Sequence, residues 1–452
     1  MRRIDHQARN RRKASLGFTD DAGSWYALDN AAIIMPAVSG PVETSLFRLS
    51  ATLTEIVRLP VLQAALDRVV ARFPYFAVEL RRGFFWHYLV PHPEAIRVEA
   101  DSVSPCQGFD MHRRGTVLFR VRTRDRTIAC EFSHVIADGT GGMRFLKNLL
   151  VEYFRILDPG DRRLDRETIG PDIDFFDLDA RPDPEETEDA YNKYYPGKYP
   201  FPPQAPAAFH LRSERLARGS HRVMMGLIDL GPALAKSKEY RVSLTEFLAA
   251  VYLEAMQSIW SGTSGSFRRP QLSIEIPVNM RSFFETKTNR NFSLFVHAWL
   301  DLRLGPRTLA EIAAKVHHQL GQEIDAQGMK RHITRNVRGG RSLSIRAIPL
   351  AFKAPLMRSL YAHFGTNMIS GLISNLGAVR MPAAIEDRID RFDFVGTPST
   401  TILTGATVLS WKGKLHCAFG SLAVSRDLER RFFSRLQALG IPVLVECNFK
   451  ED

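Results

Sequence analysis

The chain has 452 residues, with 61 Lys and Arg against 49 Asp and Glu for a formal charge of +12, and it is 45% hydrophobic and 24% charged. Those proportions belong to folded globular proteins and exclude disorder as the main state, and a prior of about 150 residues per domain predicts two or three folding units. The longest apolar runs, such as 31–38 and 247–252, stop well short of the ~18 to 20 residues that span a bilayer, so no transmembrane helix is expected.

The strongly basic start, residues 1–23, is expected to be a solvated, disordered tail, with an arm that touches nucleic acid or a membrane as the alternative. No apolar core of a secretory signal follows it, so export is not expected. Residues 46–49 read as a strand, and Pro60 opens a helix whose Leu62, Leu66, Val69, Val70 and Phe73 recur at helical spacing until Pro74 ends it. Aromatic-rich runs at 76–80 and 84–90 predict a hairpin turning at Arg81-Arg82-Gly83. A second hairpin is clearer: 117–123 pairs with 127–133 across Arg124-Asp125-Arg126, with Ile128, Cys130 and Phe132 alternating toward one face. His134 stands where that strand ends. From Thr140 the period becomes helical, with Phe145, Leu146, Leu149, Leu150, Tyr153 and Phe154 on one stripe, which makes 134–142 a strand-to-helix loop.

Between Asp158 and Pro206 the chain turns acidic and then rich in Tyr and Pro, with little periodicity, as an ordered crossover or linker would be. The chain is thereby divided into an N-terminal lobe, 24–206, and a C-terminal lobe, 207–452. In the second, 222–230 predicts a strand, Ser243 with Glu246 a capping box before Phe247, Val251 and Met256, and 272–276 and 292–300 two more strands. Leu309, Ile312, Val316, Leu320 and Ile324 mark another helix. The stretch 330–364 mixes Arg and Lys with apolar residues, and Pro349 and Pro355 are expected to break or kink any helix there. Strand-like runs at 408–411 and 415–419 hinge on Lys412-Gly413-Lys414, and an amphipathic helix through Leu428, Phe432, Phe433 and Leu436 comes last. Four scattered cysteines (Cys106, Cys130, Cys417, Cys447) form no CxxC pair, so neither a disulfide framework nor a zinc site is expected, and a reducing cytoplasm fits.

The segment most suggestive of chemistry is Ser133-His134-Val135-Ile136-Ala137-Asp138-Gly139, an H-x-x-x-D-G pattern. An imidazole at a strand's end, followed by a glycine-bearing turn and an amphipathic helix, is held by scaffold on both sides and can project into a cleft. With an unperturbed pKa near 6.5, a neutral imidazole takes a proton from a hydroxyl or amine at neutral pH and turns that acceptor into a nucleophile toward a thioester. Asp138 suits a loop anchor, its carboxylate pairing with an Arg, and Gly139 a backbone geometry closed to other residues. The bland reading is a surface histidine in a glycine-rich turn, and these residues alone leave both readings open.

With this motif the sequence resembles the CoA-dependent acyltransferase superfamily, which includes chloramphenicol acetyltransferase, plant alkaloid and phenolic acyltransferases, wax ester synthases and the condensation domains of nonribosomal peptide synthetases. The likeness is greatest to bacterial alcohol acetyltransferase-like proteins. Three further segments carry it in order, over about residues 24 to 447: Leu28-Asp29-Asn30-Ala31-Ala32, Ile276-Pro277-Val278-Asn279-Met280-Arg281-Ser282 and Ile373-Ser374-Asn375-Leu376-Gly377. The resemblance implies an α/β (α+β) fold of two chloramphenicol acetyltransferase-like lobes, a pseudo-dimer around a central tunnel that reaches the motif histidine from both sides. It also implies His134 as general base, Asp138 and Gly139 as structural members of the motif, and Arg281 as the partner of Asp138. Ser374 and Asn375 would come from the opposite half to line the tunnel or polarise the thioester carbonyl; a role in shaping the chain crossing is the alternative for Asn375 and Gly377. There are two departures from the family pattern. The doubled histidine of condensation domains and wax ester synthases is Ser133-His134 here, which weighs against peptide-bond formation. The D-F-G-W-G segment of the plant enzymes has only a partial echo in Asp393-Phe394-Val395-Gly396.

The resemblance implies transfer of an acetyl or longer acyl group from a thioester of coenzyme A or of an acyl carrier protein to a small-molecule or lipid alcohol. Coenzyme A thioester is then a co-substrate, with no tightly bound cofactor and no metal. The alternatives are an amide-forming, condensation-like enzyme fed by a carrier protein, and a non-catalytic relative that binds an acyl thioester or a partner. A charge of +12 suits an anionic donor. The stretch with Arg331, Arg335, Arg338, Arg341, Arg346, Lys353 and Arg358 reads as a surface for peripheral membrane contact or carrier docking, or as a solvated basic face. No nucleic-acid module and no phosphate-cradling Gly-rich loop is present, so no nucleic-acid partner is expected.

Overall fold

The computed structural model describes residues 25–40, 43–102, 104–164, 175–197, 199 and 206–448; the basic start of the chain and the linker pieces 165–174 and 200–205 lie outside the described residues. Seven strands belong to the first part of the chain: β1 Tyr26–Ala27, β2 Leu46–Leu53, β3 Val78–Arg82, β4 His87–Pro91, β5 Val98–Ala100, β6 Phe119–Arg124 and β7 Thr127–Ser133. Two long helices, α1 Leu59–Arg72 and α2 Gly139–Leu157, pack against them. Later come β8 Arg222–Asp229, β9 Gln271–Asn279, β10 Ser293–Asp301, β11 Gly371–Ala378, β12 Ile389–Gly396, β13 Thr404–Trp411, β14 Lys414–Ser421 and β15 Val443–Cys447. Their principal helices are α3 Leu244–Gly262, α4 Leu309–Glu323, α5 Ala326–Arg341, α6 Leu343–Ala347, α7 Leu350–Phe364 and α8 Asp427–Ala438.

The result is a two-lobed α/β fold, as expected. One lobe is built on a five-stranded sheet ordered β12-β2-β7-β6-β5 and the other on a seven-stranded sheet ordered β10-β9-β11-β13-β14-β8-β15. β12 pairs antiparallel with β2, Phe394 facing Leu49, although its neighbours in sequence, β11 and β13, both lie in the seven-stranded sheet. The chain therefore leaves one sheet, adds an edge strand to the other and returns. Part of the linker also joins the halves: buried Glu186 pairs with Arg72 at 2.6 Å, and its carbonyl accepts from Asn289 N–H at 2.8 Å.

Several local expectations are corrected. The first hairpin turns at residues 83–86, closed by Gly83 N–H to the Trp86 carbonyl at 2.9 Å, so Phe84 and Phe85 lie in the turn rather than in a strand. Strand β7 is buried on both faces. Ile128, Cys130 and Phe132 meet the core, and on the other side Glu131 is enclosed by Arg120 at 2.6 Å, Arg48 at 3.2 Å and Arg122 at 3.5 Å. Countercharge makes that burial tolerable. Helix α2 starts at Gly139, not after Gly142, because Asp138 caps it. Pro349 precedes α7, but Pro355 lies within it without ending it; Ala351, whose carbonyl loses its donor, is exposed to water. The capping box of Ser243 and Glu246 stands at the head of α3, with Ser243 N–H donating to Glu246 Oε2 at 2.7 Å.

Phe392 on β12 is fully buried in the core of the five-stranded lobe. Phe392→Ala is expected to cost about 3–5 kcal/mol. Because the chain crosses between sheets on both sides of β12, urea unfolding of the variant should remain a single transition at lower midpoint; two separated transitions would contradict this coupling.

Candidate active site

Strand β7 runs out at Ser133, and five residues turn the chain into α2. The Ser133 Oγ accepts from Val135 N–H at 3.2 Å, and the Ser133 carbonyl accepts from Ile136 N–H at 3.0 Å. His134 N–H donates to the Ser45 carbonyl at 3.0 Å, and the His134 carbonyl accepts from Asn291 Nδ2 at 2.8 Å. With the backbone tied on both sides, the direction of the imidazole is set. Its ring packs on Phe47, with centroids 4.8 Å apart, and the residue is half-buried. Burial pushes the imidazole below its ordinary value of 6.5, and the opposing pull of Asn291, Asp138 and the Ala137 backbone does not cancel it. The ring is therefore neutral at pH 7.

Asp138 does two jobs. Its Oδ1 accepts from Gly141 N–H at 3.0 Å, which caps α2, and its Oδ2 accepts from Phe292 N–H and from Arg281 Nη1, each at 2.8 Å. The ion pair spans the two lobes, and both side chains are almost wholly buried. Arg281 spends its other donors on its own loop, on the Thr288 carbonyl at 3.0 and 3.1 Å and the Arg290 carbonyl at 2.6 Å. Burial alone would raise the Asp138 carboxyl; Arg281 and the two backbone donors outweigh it and hold the group below the usual carboxylate range.

Gly139 and Gly141 supply room rather than an unusual backbone, since neither has a positive φ. A Cβ on Gly139 would stand 2.8 Å from Leu376 Cδ2, and one on Gly141 would stand 2.2 Å from the Asn289 carbonyl oxygen. The expectation of a special backbone conformation at Gly139 is corrected accordingly: the missing side chain lets a residue of β11 approach the first turn of α2.

That approach follows from how the seven-stranded sheet is built. β9 and β11 pair only at Gly371 opposite Ile274 and Leu372 opposite Glu275. Beyond that point β9 keeps β10 and β11 keeps β13, so the strands fork. Both prongs reach the motif loop: Arg281, just past β9, meets Asp138, and Leu376 on β11 meets Gly139. Ser374 and Asn375 lie on the same prong and are half-buried. Asn375 donates to Thr245 Oγ1 at 3.0 Å and accepts from Gly377 N–H at 2.8 Å; these bonds lie within its own lobe and do not reach His134. Gly377 has φ +79 where the register of β11 shifts, a conformation that favours glycine.

Two further residues belong to the site. Asn291 comes from the loop before β10; sequence reasoning missed it, because a polar loop carries no periodic signal. Its Nδ2 also donates to Asp29 Oδ2 at 2.9 Å. Asp29, in the first of the segments shared with the acyltransferases, is buried, and burial above all pushes its carboxyl up to about 7. Segments far apart in sequence thus converge on the loop that carries the imidazole. The arrangement can accept a proton at His134 and return it. Among the described residues no three His, Cys, Asp or Glu side chains cluster as metal ligands would, and no helix is long and apolar enough to cross a membrane.

No family model matches the sequence, and no curated protein is similar to it. Solved structures share the fold. The chain superposes on polyketide synthase associated protein 5 from Mycobacterium tuberculosis at 15% identity, covering 86% of this chain and 93% of that one, with a TM-score of 0.56. Trichothecene 15-O-acetyltransferase from Fusarium sporotrichioides gives 10% identity, 94% and 96% coverage and a TM-score of 0.57. A variant starter condensation domain of rhizomide synthetase in complex with C8-CoA gives 12% identity, 92% and 94% coverage and a TM-score of 0.56. At these identities the likeness establishes the two-lobed, condensation-like fold.

Arg281→Met would leave the Asp138 carboxylate buried without its countercharge and is expected to cost about 3–5 kcal/mol in urea unfolding. Gly141→Ala should also be destabilised, because its Cβ would meet backbone rather than a yielding side chain, whereas Gly160→Ala, with nothing within 4 Å, should be neutral. Equal stability of the two alanine variants would contradict the close approach.

Proposed function

We propose that the chain transfers an acyl group from a thioester of coenzyme A or of an acyl carrier protein to an alcohol, with His134 as general base. The observation that carries this reading is the neutral, half-buried imidazole tied at its backbone to Ser45 on one side and Asn291 on the other. The fold supports it, since structures that share it include an O-acetyltransferase and a condensation domain solved with C8-CoA.

The acceptor hydroxyl donates to the imidazole. As its oxygen bonds to the thioester carbonyl carbon, the proton passes to the ring, an effect worth about 10²–10⁴-fold. When the tetrahedral adduct collapses, the C–S bond breaks and the imidazolium returns the proton to the departing thiolate. Ester and free thiol leave, and the enzyme is unchanged, so no covalent enzyme intermediate is needed. Asp138 acts as a positioning residue, because its oxygens are committed to Arg281, Gly141 and Phe292; its charge nevertheless favours the transient imidazolium. The scheme assigns Ser374 and Asn375, half-buried on the forked strand, to the border of the thioester's path. Coenzyme A is a co-substrate in this scheme, not a resident cofactor.

Amide formation from carrier-bound substrates is disfavoured by Ser133, whose hydroxyl occupies the place of a second histidine and is bonded to Val135 N–H. His134→Ala is expected to abolish thiol release from acyl-CoA in the presence of an alcohol while leaving the circular dichroism spectrum unchanged. Full activity in that variant would eliminate the mechanism. Comparing alcohol with amine acceptors, and free acyl-CoA with acyl-carrier donors, separates ester from amide formation.

A further inference from the structure

One surface takes no part in the site. Residues 326–364 hold eight Lys and Arg and no Asp or Glu, in a chain whose net charge is +12. They fold as α5, α6 and α7. Helix α7 is held from beneath: Leu350 N–H donates to the Phe84 carbonyl at 2.9 Å, and Lys353 Nζ donates to the Phe85 carbonyl at 3.1 Å and sits 3.4 Å from the Trp86 ring centroid. Arg358 Nε donates to the Ala37 carbonyl. Leu350 and Lys353 are buried and Met357 and Tyr361 half-buried, making the inner stripe.

The outer stripe is apolar. Phe352, Leu356 and Leu360 recur every fourth residue and face water, Phe352 with 74% of its surface exposed. Leu343 on α6 is 81% exposed, and Phe84 at the hairpin turn beneath α7 is 70% exposed. A surface helix ordinarily turns such residues inward; here a lysine is the inner anchor and the large apolar groups point out. Large apolar side chains left exposed at successive turns of one helix, and again on the short helix before it, point to an interaction surface.

The occupant follows from shape and charge. Side chains exposed to this degree project instead of lining a groove, so they offer no concave seat to a folded partner, whereas a fluid interface closes around them. The surrounding cations, among them Arg341 and Arg346, complement anionic headgroups. We infer that this face docks on an anionic lipid bilayer, with Leu343, Phe352, Leu356 and Leu360 entering the boundary between headgroups and acyl chains and the arginines meeting lipid phosphates. The inference stands apart from the proposed acyl transfer.

Flotation of the full chain with vesicles of phosphatidylcholine and phosphatidylglycerol, against vesicles of phosphatidylcholine alone, tests it. Binding is expected on the anionic vesicles, weakened about tenfold or more by high salt. The double variant Phe352→Ser with Leu356→Ser should bind about tenfold or more weakly with an unchanged melting temperature, since both residues are exposed. Arg346→Gln, on the fully exposed α6, should weaken binding to anionic vesicles only and gives a second reading if the double variant folds poorly. Absence of vesicle binding, undiminished binding by these variants, or an acidic carrier protein that binds this face and is not displaced by vesicles would overturn the inference.

Discussion

The carboxylate of Asp138 serves both lobes at once. One oxygen caps the helix that follows the motif, and the other takes the Arg281 guanidinium and the Phe292 N–H from the far lobe. A buried charge is stable only when its remaining hydrogen bonds are made and a countercharge lies beside it, and here both conditions hold. Because the carboxylate sits four residues after His134, fixing it fixes the loop that carries the imidazole. Arg281 in turn closes the loop that delivers Asn291 to the His134 carbonyl. The site is therefore a product of the interface between lobes and would not exist in either alone.

Close backbone approach makes the interface possible. The first turn of α2 presents glycine where Leu376 and the Asn289 carbonyl arrive, and the parting of β9 from β11 lets separate segments of one sheet reach the same loop. β12, which crosses to pair with β2, ties the lobes a second time. Packing, sheet register and one ion pair thus converge on holding a half-buried ring.

Much of this was legible in the sequence where the signal is local. The alternation of Ile128, Cys130 and Phe132, the helical stripe from Phe145 to Phe154 and the Ser243/Glu246 box reported their elements, because each depends on near neighbours. The motif placed His134 at a strand's end, and the resemblance pointed to Arg281 as the partner that the structure puts 2.8 Å from Asp138. What stayed hidden is nonlocal. β11 reads Gly-Leu-Ile-Ser-Asn-Leu-Gly-Ala, poor in strand formers, and is a strand because β9 and β13 flank it. The second buried face of β7 could not be seen because Glu131 reads as a solvent residue until its three arginines are found. Asn291 lies in a polar loop whose role appears only after folding. The shared segments around Asp29, Arg281 and Asn375 lie far apart in the chain, and only the fold shows which of them touch the motif.

The His134 imidazole, on a loop tied to both lobes, is kept neutral by burial, the state that the proposed proton transfer requires. Protonating it is disfavoured in the folded chain, so the fold should also lose stability as pH falls below 6.5 through the lowered value. The most direct measurement is a nitrogen-15 NMR titration of histidine-labelled protein, with the His134 signal assigned by its loss in His134→Gln. The account predicts a midpoint below 6.5, the ordinary histidine value, and a shift of that signal on adding acyl-CoA. A midpoint at or above 6.5 with no response to acyl-CoA would contradict it.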